Sequence, residues 1–233
     1  MYFVRLENSM RIGIRFAKTG FGVYLSHLEI MRLFARALRR ADIEVKYSQG
    51  FNPRIKMIFS TPSPVGLASV AEYAEFEVLD EEDIEDVKNK INAVLPVGVR
   101  ILNAGYIDKG ISNLMECARI SEYLLIRKVN FDADEALLAT IKGKYERDEK
   151  ISNGKGFFGL RTLIQDLSVE KKGDKIFLHY FSHVKGKNAI RYDDVIRYFS
   201  AEKGILTMAF RLNTFDIGKD EIKINLNEYL RRC

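Results

Sequence analysis

The sequence predicts an α+β protein built from two tandem ferredoxin-like (split βαβ) units, each an antiparallel sheet with helices on one face. Three observations lead there. Short runs alternate apolar and polar residues, the period of a half-buried strand. Between those runs apolar residues recur three and four apart, the period of an amphipathic helix. The order strand, helix, strand, strand, helix, strand runs through residues 10–107 and again, more loosely, through 121–217.

In MRIGIRFAKTG, Ile12, Ile14 and Phe16 alternate with Arg11, Gly13 and Arg15, which predicts the first strand. Ser26 and Glu29 match the S-x-x-E capping box, and Leu28, Met31, Phe34, Ala35, Leu38 and Ala41 recur at helical spacing. The first helix is therefore expected from about Leu28 to Ala41. IEVKYS and RIKMIFST read as an extended segment broken by the turn GFNP. AEYAEFEVL alternates again, DEEDIEDVKNKINAVL is an acid-started amphipathic helix, and VRILNAGYI closes the unit as a strand.

A polar connector, DKGISNLMECARIS, leads into the second unit. Its elements are the strand EYLLIRKV, the helix DADEALLATIKGKY, a hairpin of LSVEKK and KIFLHYFSH around Gly173, the helix YDDVIRYFSA and the strand LTMAFRLNTFDI. GKGFFGLRTLIQDL is an insertion before that hairpin. Its GKGFFG lacks the order of a phosphate-binding glycine loop and reads as a flexible loop.

The chain has 233 residues and 47% hydrophobic content, enough for one large core or two small ones. Cys117 and Cys233 form neither a disulfide framework nor a metal-ligand spacing, which points to a reducing, cytoplasmic compartment. No apolar run reaches the ~18 residues of a membrane span, and no membrane partner is expected. Residues 1–9, MYFVRLENS, lack the apolar core of a signal peptide and are expected to be a start-site extension. Charge is segregated: residues 1–70 hold 11 Lys+Arg against 4 Asp+Glu, whereas residues 71–95 hold 2 against 9. A polyanion is a candidate partner for the first segment, and the acidic block argues against a uniformly basic coat.

Arg32, Arg36, Arg39 and Arg40 stand at helical offsets that form one stripe, opposite Leu28, Met31, Phe34 and Leu38. Guanidinium groups bind phosphate bidentately and keep their charge, so the stripe reads as a phosphate-binding face. The alternative is a solvated face paired with the acidic second helix. Lys18, Lys46, Arg54 and Lys56 extend the patch if the strand ends lie beside it. Tyr24, Tyr47, Phe51 and Phe59 are interleaved there, as base stacking or ordinary core packing requires.

His27 opens the first helix, where free amides and the positive dipole end disfavour protonation. It reads either as a general acid/base or as a hydrogen-bonded cap residue. Gly50, Phe51, Asn52 and Pro53 make a rigid turn, with a ligand contact from Asn52 or Phe51 as the other reading. Ser63, Gly66 and Ser69 of the TPSPVGL loop offer small polar contacts. His179 and His183 lie four apart in an expected strand, a spacing that does not join them on a metal, and no metal site is expected.

RIGIRFAKTG, LSHLEIMRLFARALRRA, YSQGFNPRIKMIFSTPSPVGL and the AEY that follows occur in this order between Arg11 and Glu77. In this block the chain resembles the radical SAM-linked family of bacterial proteins, which occur beside a radical SAM protein or fused to its C-terminal end. His27, Arg32, Arg39, Arg40, Gly50, Phe51, Asn52 and Pro53 carry over directly. The family commonly reads SHLD where this chain has Ser26-His27-Leu28-Glu29, and GFNPHP where it has Arg54 and Ile55, so the loop lacks that family's histidine.

The resemblance implies a noncatalytic accessory or substrate-presenting protein for a separate radical SAM enzyme. The iron–sulfur cluster and S-adenosylmethionine belong to that partner, since this chain has no C-x-x-x-C-x-x-C. The arginine stripe adds RNA, tRNA or rRNA, as the bound molecule. Two other readings stand beside it. One is a metal-independent RNA-processing endonuclease using His27, because tandem ferredoxin-like units with such a histidine look like the enzymes that cleave CRISPR repeat RNA. The other is a protein-binding adaptor that docks through the acidic second helix and a hydrophobic sheet edge.

Overall fold

The computed structural model describes residues 9–79, 81–128, 134–200, 205–218 and 221–230; the expected start-site extension lies outside them except for Ser9. The described residues fall into two compact units. One lies within Met1–Val65, Ser69–Cys117 and Ile224–Cys233, the other within Gly66–Ala68 and Ala118–Lys223.

The first unit runs β1 (Met10–Lys18), α1 (His27–Arg40), β2 (Met57–Phe59), β3 (Ala68–Val78), α2 (Ile84–Val94), β4 (Val99–Tyr106) and the short helix α3 (Leu114–Cys117). Its strands lie in the order β4-β1-β3-β2, all neighbours antiparallel, with Ile14 opposite Ala74 and Ala104 and with Phe59 opposite Ala74. This is the split βαβ arrangement expected from the sequence. Period-two alternation sends Ile12, Ile14 and Phe16 to one face, where Ile30, Phe34 and Leu38 of α1 and Val87 and Ile91 of α2 cover them.

Helix α1 begins where the capping box requires. The Glu29 N–H donates to Ser26 Oγ, and the Ser26 N–H donates to Glu29 Oε2 at 2.8 Å. The extended segment before β3 is less regular than expected. Only Met57–Phe59 joins the sheet, after isolated bridges of Val45 with Val78 and of Tyr47 with Ile55. GFNP is the tip between Tyr47 and Ile55, closed by Ser48 N–H donating to the Arg54 carbonyl at 2.7 Å, with Gly50 at φ 129°.

The second unit runs β5 (Ile120–Lys128), α4 (Asp134–Glu146), β6 (Lys150–Ser152), β7 (Phe157–Gly159), α5 (Leu160–Leu163), β8 (Gln165–Lys172), β9 (Lys175–His183), α6 (Tyr192–Ser200) and β10 (Ile205–Ile217). Its order, β10-β5-β9-β8, again antiparallel throughout, repeats the first unit's plan. Tyr123, Leu125, Leu178 and Tyr180 meet Leu137, Ile141, Val195 and Phe199 in its core, with Tyr123 stacked on Tyr180 at 5.3 Å. GKGFFG is not the loop that its glycines suggested. Phe157–Gly159 pairs with Lys150–Ser152 as a small hairpin whose turn places Gly154 at φ 79°.

Strand β11 (Lys223–Asn225) and a helical turn at Leu226–Tyr229 end the described chain. Residues 224–230 join the first unit. Asn103 Nδ2 donates to Asn227 Oδ1 at 3.0 Å, and a Cβ placed on Gly13 would come within 2.5 Å of Leu230. Among the described residues no helix is long and apolar enough to cross a membrane.

Candidate functional site

Helix α1 carries most of the residues singled out in the sequence, and it distributes them over different surroundings. At its first residue, His27 faces a small space shared with Lys18, Phe59, Ser63, Glu72 and Tyr73. The imidazole stands edge-on to Phe59, and burial lowers its pKa below 6.5; the Lys18 charge acts the same way and Glu72 opposes it. It is therefore neutral near pH 7. Burial likewise pushes the Tyr73 phenol up to about 12, so it stays protonated.

Lys18 was expected to extend the basic patch; instead it is 2% exposed. Its ammonium donates to the carbonyls of Ser63 at 3.1 Å and Pro64 at 3.2 Å, which ties the TPSP loop to the end of β1. The alternation that buries Ile12, Ile14 and Phe16 carries Lys18 inward as well. Glu72 is in step with Ala74, Phe76 and Val78 on β3 and is buried for the same reason, accepting the Ser63 N–H at 3.0 Å. The Ser63 hydroxyl is buried with no hydrogen-bond partner among the described residues. The space beside it amounts to about 10 Å³, room for one water and not for a nucleotide.

Arg32, Arg36, Arg39 and Arg40 are all exposed, and none has an ion-pair partner among the described residues. The acids of α2 do not neutralise them, because Glu85 pairs with Lys88 and Asp86 with Lys90 within α2 itself. Arg36 and Arg40 line a groove against the C-terminal end of α2. Lys46 is half-buried and committed, pairing with Glu77 at 3.1 Å and donating to Ser9 Oγ at 3.2 Å. Arg54 and Lys56 are exposed, as are Gly50, Phe51, Asn52 and Pro53 at the GFNP tip. Tyr24 and Tyr47 are exposed, whereas Phe59 packs in the core.

The space at His27 is lined by none of the arginines of α1 and by no residue of GFNP. Ser63, Lys18 and Glu72 line the same space as His27, and the charges of Lys18 and Glu72 act on it. In the second unit, His179 hydrogen-bonds Glu122, and His183 meets Gln165. Among the described residues no three His, Cys, Asp or Glu side chains group so as to hold a metal; Cys117 is buried, and its thiol donates to the Ser112 carbonyl at 3.6 Å.

Residues 11–191 match the model of a family described as "Uncharacterized protein conserved in bacteria (DUF2344)". No curated protein matches the chain. Among solved structures it is similar to an unknown protein from Galdieria sulphuraria, with 12% identity, 76% of this chain and 82% of that chain covered, and a TM-score of 0.27. It is also similar to the acetolactate synthase small subunit from Thermotoga maritima, with 12% identity, 94% and 97% covered, and a TM-score of 0.27.

Proposed function

The chain belongs to the bacterial family DUF2344, and we propose that it is a noncatalytic accessory protein that binds RNA, tRNA or rRNA, through the guanidinium row of α1. One observation carries this reading: four exposed arginines stand on one helix and none forms a close ion pair among the described residues, the nearest carboxylate influence being that of Glu29 on Arg32. Arg32 and Arg39 lie about 10 Å apart along α1 at ~1.5 Å per residue, a span that suits successive phosphates. The enclosed space beside His27 has room for about one water, which supports reading the imidazole as a packing residue.

The resemblance between Arg11 and Glu77 supports a separate radical SAM enzyme as the protein partner, in the cytoplasm, with the iron–sulfur cluster and S-adenosylmethionine held there. Affinity for labelled tRNA against salt concentration tests the RNA reading. It should fall steeply and linearly on logarithmic axes, and an Arg32→Ala, Arg36→Ala, Arg39→Ala variant should flatten the line. A flat dependence in the unaltered protein overturns it. Purification of the tagged chain from its native host tests the partnership, which fails if no radical SAM protein is recovered.

A further inference from the structure

The groove between α1 and the end of α2 differs from the rest of the α1 surface. It measures about 530 Å³, within the range of small-molecule sites. Its walls are Leu25 and Leu33 on one side and Val94, Leu95 and Pro96 on the other. That far wall offers no backbone donor at Pro96, which has none, or at Leu95, whose N–H is spent on the Ile91 carbonyl. The charged side chains of the lining are Arg36 and Arg40, toward the C-terminal end of α1, and Glu29, in its first turn.

We infer that this groove takes one unstacked nucleotide of the bound RNA, its base between the apolar walls and its phosphate on Arg36 and Arg40. The inference rests on the reading of α1 as an RNA surface. Charge selects the orientation. The two guanidinium groups have no other ion-pair partner among the described residues, so an entering phosphate displaces nothing. Glu29 uses Oε2 for the Ser26 cap, which leaves its other oxygen to accept an amino group of the base or a ribose hydroxyl. About 10 Å of helix separates Glu29 from Arg36 at ~1.5 Å per residue, so the donor-seeking and anion-seeking ends are held apart. Single-stranded RNA is recognised through unstacked bases that side chains hold by their faces and edges, and Arg36 and Arg40 offer guanidinium planes beside the apolar walls.

The experiment is a titration of the full chain, with its methyl groups labelled for NMR, by adenosine monophosphate, adenosine and inorganic phosphate. Adenosine monophosphate should shift the methyl signals of Leu25, Leu33, Val94 and Leu95. Adenosine should shift the same signals at higher concentration, and inorganic phosphate should leave them in place. Joint Arg36→Ala and Arg40→Ala substitution should weaken the mononucleotide about tenfold and adenosine hardly at all, since only the former loses charge-assisted bonds. Methyl signals that ignore adenosine monophosphate overturn the inference and leave the groove to a protein partner; so does inorganic phosphate matching its effect. If tRNA still binds with a steep salt dependence in that case, the α1 reading survives and only the groove assignment falls.

Discussion

His27 and Phe59 meet edge to face, ring centroids 5.5 Å apart and planes at 82°. This contact, from the first residue of α1 to the last of β2, holds the imidazole where burial is the main influence on its protonation. Its NMR titration midpoint should lie below 6.5. The sign for stability follows from linkage. With the folded value depressed, the contribution is fully present above the unfolded value near 6.5 and is lost as pH falls through the folded one. Urea midpoints should therefore decline on acidification in that window, ahead of the carboxylates, and His27→Gln should remove that part of the decline. A His27 midpoint at or above 6.5 would contradict the burial described.

Lys18 anchors the TPSP loop through carbonyls that have lost their water. Lys18→Met keeps the buried alkyl chain and removes the donor, so the loss isolates the polar role. It should cost about 1–3 kcal/mol, the penalty for leaving buried acceptors unpaired. Amide exchange should quicken at Ser63, whose N–H is held by Glu72. An unchanged urea midpoint in Lys18→Met would show that the ammonium contributes nothing.

Gly98 sits at φ 95°, and a Cβ there would lie 2.6 Å from the Thr19 carbonyl and 2.7 Å from the Gly22 nitrogen. Gly20 is also at positive φ but has open space around it. Gly98→Ala should thus cost clearly more than the roughly 1 kcal/mol expected of Gly20→Ala, because backbone atoms cannot yield as a side chain can. Chemical denaturation of the two variants side by side checks the order, and equal losses would refute the steric argument.

The strands and the first helix were legible because their signals are local: Ile12, Ile14 and Phe16 alternate, and Ser26 with Glu29 caps α1. The two buried charges were legible in principle. Lys18 and Glu72 each fall in step with core-facing neighbours, so the alternation that buries those neighbours buries them too, against the general tendency of charge to lie at the surface. The pairing of Asn103 with Asn227 was out of reach, since it joins residues 124 apart through side chains that carry no periodicity. The structure shows a second capping box, Asn225 with Glu228, at the helical turn that precedes Leu230. The separation of His27 from the arginines is likewise a tertiary fact: the imidazole turns toward β1 and the TPSP loop, and the guanidinium groups toward solvent and α2.

The cations of the first unit should not contribute equally to RNA binding. Lys46 is paired with Glu77 at 3.1 Å, and hydrogen bonds from Ser9 and Lys46 hold that carboxyl below its usual range. A phosphate approaching Lys46 meets a neutral pair and has to displace Glu77 from it, whereas one approaching Arg39 meets an uncompensated charge. Arg39→Ala should therefore reduce the slope of log affinity against log salt by about 1, and Lys46→Ala by much less. The same substitutions reverse rank in stability: Lys46→Ala takes from part-buried Glu77 its ion-pair partner and leaves it the Ser9 hydrogen bond, while Arg39→Ala removes only an exposed side chain from the last turn of α1. Fluorescence anisotropy at several salt concentrations and urea denaturation on the same two variants measure both orders. Equal slopes for the two would mean that pairing with Glu77 does not remove Lys46 from the phosphate-binding surface.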